Sequence, residues 1–179
     1  MTLKVITGQL VSKCGLAENK VFHLPASDVD QYGISKTVIA RYSTDAAQSI
    51  PDVEMTVINF EDVTYDPDNL VTVGAAWNFL APEAGYYMVS AMINFTGTAT
   101  WADTEVGALA IYKNGLIFSY LDARDNYSSA SSVYMTLEGS DLIYLAAGDR
   151  INMRVWQASG AALALRNLGV YNHVAIWKI

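Results

Sequence analysis

The sequence predicts an all-β fold, a sandwich or jelly roll with an extended N-terminal arm, and three observations carry that expectation. Tyr87, Val89, Ala91, Ile93 and Phe95 form an apolar row at a period of two, the spacing of one face of a β-strand. Short β-prone runs recur along residues 53–179 with turn residues between them, and almost nothing repeats at helical spacing. Lys113-Asn114-Gly115 separates two such runs, and Asn-Gly supplies the positive backbone angles that a type I′ hairpin requires.

Taken in order, residues 1–50 read as the arm. Residues 3–11 and 37–42 hold short β-like runs, whereas residues 23–35 mix Pro25, Asp28, Asp30 and Gly33 with little periodicity. Such a segment is too small for a core of its own and orders by packing on something else. The boundary is expected near Gln48 to Asp52, where a polar stretch meets Pro51. The head, residues 51–179, opens with strands over residues 53–60 and 70–73. Pro82 cannot donate to a ladder and Gly85 tolerates unusual backbone angles, so together they bracket a tight connection into the strand that carries the apolar row. Residues 106–112 and 116–120 are the two arms of the Asn-Gly hairpin. Runs over residues 133–137, 142–145, 151–157 and 174–179 complete the strands.

Phe79, then five residues, Gly85, one residue and Tyr87 resembles the signature of the C1q/TNF-like trimeric jelly rolls, with Val89, Ile93 and Phe95 continuing the core row. Tyr65-Asp66-Pro67-Asp68-Asn69 resembles the turn upstream of that signature, and Lys113-Asn114-Gly115 the central hairpin. Ala147-Gly148-Asp149-Arg150-Ile151 resembles the lead into a late strand, and Val174-Ala175-Ile176-Trp177-Lys178-Ile179 the last strand, so the resemblance covers about residues 51–179. Val89 and Ala91 stand where animal C1q heads carry aromatics, which points to a microbial or bacteriophage branch. The resemblance implies a homotrimer-forming head, with residues 159–168 a loop or strand pair. No Gly-X-Y tract is present, so trimerisation is expected from the head and arm themselves.

Hydrophobic residues make up 52% of the chain, yet no run approaches the roughly 18 apolar residues that span a bilayer, so the surplus is expected to meet protein rather than membrane. Tyr86, Met88, Tyr134, Trp156 and Trp177 lie opposite or beside the rows assigned to the core. They belong either to a core whose register is shifted by one residue or to the threefold interface that the resemblance implies; the interface is the expectation. Residues 51–179 carry six basic and fourteen acidic side chains, a formal −8, against +1 for residues 1–50. An acidic head repels phosphates, which argues against nucleic acid as a partner. The first residues lack a basic stretch followed by an apolar one, so no secretory signal is read. Cys14 has no partner for a disulfide, and both features suit synthesis in a cytoplasm.

No nucleophile elbow, phosphate loop, His-Glu-x-x-His or paired-cysteine motif occurs, and His23 and His173 stand apart from any nucleophile motif. No catalytic residue and no cofactor is assigned. Asp66, Asp68 and Asn69 place oxygen ligands close together, as does the run from Asp122 to Asn126. Turns need the same residues and neither run has EF-hand spacing, so turns are expected, with calcium as the alternative. The sequons at Asn94 and Asn126 are read as accidental.

The expectation for function is a non-enzymatic virion structural protein, made in the host cytoplasm: a trimeric phage capsid decoration, or cement, protein. Its arm would clamp neighbouring coat subunits through Leu3, Val5, Val21, Phe22, Val38 and Arg41, three tethered contacts reinforcing one another. The alternatives are a receptor-binding or tail-fibre tip head, or a bacterial adhesin, whose loops at residues 97–105 and 124–132 contact a host protein or glycan.

Overall fold

The computed structural model describes residues 5–6, 9–10, 39–96, 100–125, 131–132 and 134–179. The chain divides into two units, Met1–Lys36 and Thr37–Ile179. In the first, β1 (Val5–Ile6) and β2 (Gln9–Leu10) pair antiparallel with Val5 opposite Leu10.

The second unit is built from strands throughout its described residues. In chain order these are β3 (Ile39–Ser43), β4 (Ser49–Ile50), β5 (Thr56–Val57), β6 (Asp62–Tyr65), β7 (Val71–Thr72), β8 (Asn78–Leu80), β9 (Gly85–Asn94) and β10 (Thr100–Trp101). They continue with β11 (Val106–Lys113), β12 (Leu116–Asp125), β13 (Ser131–Ser132), β14 (Thr136–Leu145), β15 (Arg150–Ala158), β16 (Leu163–Ala164) and β17 (His173–Lys178). A five-stranded sheet runs β14-β9-β17-β3-β6. A six-stranded sheet runs β12-β11-β15-β8-β7, with β5 also paired to β15. Two-stranded pairs β10-β13 and β16-β4 complete the sandwich, so residues 159–168 contribute a loop and one short strand.

The alternation read from the sequence is what closes this sandwich. Tyr87, Val89, Ala91 and Ile93 point inward from β9, Leu137, Ile143 and Leu145 from β14, and Val174 and Ile176 from β17. Leu109 and Ile111 of β11 and Ile151, Met153 and Val155 of β15 enter the same core from the other sheet. Phe79 meets Tyr87 edge to face at 5.8 Å, which joins the two layers at the signature segment. Asn114 and Gly115 both have positive φ, 50° and 85°, as the two-residue hairpin between β11 and β12 demands.

Three boundaries differ from the sequence reading. The head begins at Thr37 rather than near Gln48, because β3 inserts between β17 and β6 and buries Ala40 and Tyr42. The polar stretch at Gln48 is internal to the head: its side-chain amide donates to the Val57 carbonyl at 2.7 Å and its Oε1 accepts from the Asn59 amide at 2.9 Å. Over residues 53–60 only Thr56–Val57 is strand, and Val53 takes a left-handed backbone with φ 55°. The runs over residues 133–137 and 142–145 fuse into the single strand β14, which stays in register with β9 from Thr136 opposite Asn94 to Leu145 opposite Gly85.

Candidate functional site

The residues that alternate with the inward rows of the five-stranded sheet form its outward face. At one end, Tyr144 lies opposite Tyr86 and Leu142 opposite Met88. Trp177 flanks Met88 on its other side, and Ile39 lies beyond Trp177. The Ile179 amide donates to the Tyr86 carbonyl at 2.9 Å, bringing the last residue into the same block. The rings of Tyr86 and Tyr144 meet edge to face at 5.3 Å.

Along the strands the face changes character. Ser140, Ser90, Ala175 and Arg41 form the next row, and Glu138, Met92, His173 and Ser43 the one after. The surface therefore grades from an aromatic end through a belt of small side chains to a polar end. His173 is half-buried there, and its pKa is held below the ordinary 6.5, first by burial and then by the Arg41 charge, against opposing contributions from the Val170 backbone and Glu138. The neutral imidazole is thus favoured on this face.

Exposure makes the aromatic end unusual. Tyr86 is 56% exposed, Tyr144 51%, Leu142 44%, Trp177 37% and Ile179 70%, so one continuous block of large apolar side chains meets solvent. Association surfaces of β-sandwiches are built from exposed apolar blocks of this kind. A second apolar surface lies on β12, where Leu116, Ile117, Phe118 and Tyr120 are exposed. β12 and β14 are the edge strands of the two sheets on the same side of the sandwich. They approach closely: the Glu138 amide donates to Asp122 Oδ2 at 3.2 Å, and Gly139 sits directly against the Leu121 carbonyl. Face and edge therefore adjoin along β14.

The expected interface residues separate. Tyr86, Met88 and Trp177 come together on the outward face. Trp156 does not join them, because it alternates with the buried Val155 on β15 and faces outward from the opposite sheet. Tyr134 precedes the far end of β14, where its ring lies under the Arg166 guanidinium at 4.5 Å; the eight residue steps from Thr136 to Tyr144 span about 27 Å of strand. Leu142, Tyr144, Ile39 and Ile179 belong to the block and were not singled out from the sequence. Their signal was the outward half of the same alternation, which has no address until the strands are paired.

The signature residues Phe79, Tyr87, Val89, Ile93 and Phe95 are all buried, and Phe95 meets Trp101 edge to face at 5.2 Å. A Cβ added at Gly85 would meet Lys178 Cε at 2.5 Å, beside the ion pair from Lys178 to Glu83 at 2.8 Å. Of the residues expected to contact a coat protein, Leu3, Val21, Phe22 and Val38 lie outside the described residues, Val5 is in β1, and Arg41 is exposed on β3 of the head.

Asp66 spends both carboxylate oxygens within the protein. Oδ1 accepts from the Leu70 amide at 3.0 Å, and Oδ2 accepts from the Val71 amide at 3.1 Å and the Tyr42 hydroxyl at 2.8 Å. Asn69 takes φ 53° and donates its amide to the Asp66 carbonyl, which makes residues 66–69 a turn locked by its first side chain. Burial, and then the Asp66 hydrogen bond and charge, raise the Tyr42 hydroxyl well above the ordinary phenol range. Asp122 likewise pairs with Arg124 at 2.7 Å. Among the described residues no group of three His, Cys, Asp or Glu side chains is placed to hold a metal ion.

No family model and no curated protein matches the sequence. Solved structures do. The chain is similar to Eiger TNF from S. frugiperda, with a TM-score of 0.56 and 14% identity over 80% of this chain and 92% of that one. It is similar to murine APRIL, with a TM-score of 0.55 and 12% identity over 80% of this chain and 100% of that one. It is also similar to the globular domain of zebrafish complement 1qA, with a TM-score of 0.54 and 12% identity over 80% of this chain and 97% of that one. At these identities the likeness speaks of backbone architecture alone. The chain has the all-β jelly-roll fold of TNF and C1q globular domains.

Proposed function

We propose that this protein is a non-enzymatic structural module that assembles as a homotrimer and serves as a capsid decoration protein of a bacteriophage, made in the host cytoplasm and built into the virion. The observation that carries the assembly reading is the continuous exposed block of Tyr86, Tyr144, Leu142, Trp177 and Ile179. The exposed β12 edge beside it supplies a second, different apolar surface on the same chain. Two unlike patches on one protomer join head to tail, and a head-to-tail contact that closes makes a ring of identical subunits. The decoration reading is supported by Met1–Lys36, a separate unit with four lysines against Glu18, Asp28 and Asp30, beside a head of formal charge −8. In this reading three such segments on one trimer hold neighbouring coat subunits more firmly than one would.

The test is the mass of the particle in solution. Wild-type protein should scatter light as a trimer, and Tyr86→Ser combined with Tyr144→Ser should release folded monomers with unchanged far-ultraviolet circular dichroism. A wild-type monomer at micromolar concentration rules out the trimer. An intact trimer in the double variant places the interface elsewhere.

A further inference from the structure

The face of the sandwich opposite the aromatic surface carries a different feature. There β5, β8, β15 and the turn between β11 and β12 border a shallow hollow of about 400 Å³ open to solvent, lined by Arg150, Arg154, Asn78, Asn114 and Asn152, with Ala76 among its small apolar side chains. Arg150, Asn152 and Arg154 are outward residues in the first half of β15, alternating with buried Ile151, Met153 and Val155.

Both arginines are held in place by neutral partners. Arg150 Nη1 donates to Asn78 Oδ1 at 2.6 Å, while its backbone amide donates to Asn114 Oδ1 at 2.9 Å. Arg154 Nε donates to Asn152 Oδ1 at 3.0 Å, and its guanidinium lies over the Tyr112 ring at 4.1 Å. Among the described residues the ion pairs are Lys113 with Asp149, Arg124 with Asp122 and Lys178 with Glu83, so neither arginine of the hollow has a carboxylate partner. Two oriented guanidiniums keep their full charge and most of their donors in a head of formal charge −8.

Such an arrangement calls for an anion with a planar fork of oxygens, because a guanidinium binds a carboxylate through two parallel hydrogen bonds. Arg150 and Arg154 are four residues apart on one strand, about 13 Å between Cα atoms, which separates the two cationic positions along an extended ligand. The asparagine amides and small apolar side chains around them suit a hydroxylated ring better than a compact ion. We infer that this hollow is a binding site for a carboxylated glycan, with Arg150 and Arg154 each receiving a carboxylate of the chain. The site lies on the other sheet from the aromatic block and is independent of the decoration reading, although it would suit the receptor-binding alternative equally.

The experiment uses the full-length protein and oligogalacturonate as the probe, followed by calorimetry at low and physiological salt. Wild-type protein should bind the oligomer, with the methyl-esterified, uncharged oligomer bound at least 10-fold more weakly. Arg150→Ala and Arg154→Ala should each weaken binding about 10- to 100-fold while keeping the wild-type melting temperature and particle mass. Arg154→Lys, which keeps the charge and loses the fork, should fall between wild type and Arg154→Ala. Absence of binding, equal affinity for the esterified oligomer, equal affinity for hexaglutamate, or binding untouched in the Arg154→Lys and both alanine variants would each overturn the assignment.

Discussion

Asp149 ties the turn between β14 and β15 to the turn between β11 and β12. Its Oδ2 accepts from the Ala146 amide and from Lys113 Nζ, each at 2.8 Å, and its Oδ1 accepts from Asn114 Nδ2 at 2.8 Å. The Lys113 hydrogen bond first, then those from Asn114 and Ala146, lower its pKa from 3.8 to about 2. A carboxylate whose pKa is depressed in the folded state adds stability above its unfolded value, and that contribution is lost as pH falls from about 4 towards 2. Asp149→Asn should therefore lower stability at pH 7 by about 1 kcal/mol, and the gap to wild type should narrow as pH falls towards 2. Chemical denaturation at several pH values reads this directly, and a gap that stays constant with pH would remove the charge from the explanation. The same substitution loosens Asn114, which lines the arginine hollow, so glycan binding should weaken in parallel.

At the scale of elements, the edge formed by β12 and β14 depends on a missing side chain. An added Cβ at Gly139 would meet the Leu121 carbonyl oxygen at 2.5 Å and Leu121 Cβ at 3.1 Å, and backbone cannot swing aside as a side-chain tip can. Gly139→Ala should cost about 1–3 kcal/mol, more than the modest gain that alanine brings by restricting the unfolded chain. Equal or greater stability of the variant in a urea titration would show that the edge strands yield. This position also explains why β14 was read from the sequence as two runs: Glu138, Gly139, Ser140 and Asp141 look like a turn. Pairing with β9 carries the strand straight through them, with Gly139 opposite Ala91. β6 was not anticipated for the opposite reason, since Asp62 to Tyr65 are all exposed and present no inward row. Its place comes from pairing with β3 alone.

At the scale of the whole molecule, the unit boundary decides how the chain can be divided. Removing residues 1–36 leaves every strand of both main sheets, whereas removing residues 1–50 also deletes β3 and β4, with Ala40, Tyr42 and Ile50 from the core. The shorter deletion should keep a cooperative melting transition and the wild-type number of subunits per particle. The longer one should lose several kilocalories per mole and yield little folded protein. If residues 1–36 hold the coat, the shorter deletion should also abolish co-sedimentation with capsids. A truncated head that decorates particles as well as the full chain removes the arm from the mechanism and moves the attachment to the head.

The inward half of this protein was legible in the sequence. Tyr87, Val89, Ala91, Ile93 and Phe95 declare a strand face because side chains alternate by covalent geometry, and Asn114-Gly115 declares a hairpin because its backbone angles are local. The outward half was not. Tyr86 and Trp156 each stand beside an inward row and look alike in sequence, yet one shares a face with Tyr144, Met88 and Trp177 while the other lies on the opposite sheet. Alternation tells a side chain whether it faces the core, and only the pairing of distant strands tells it which neighbours it keeps on the other side. For the same reason Arg150, Arg154 and Asn78 become one site only after β8 and β15 meet.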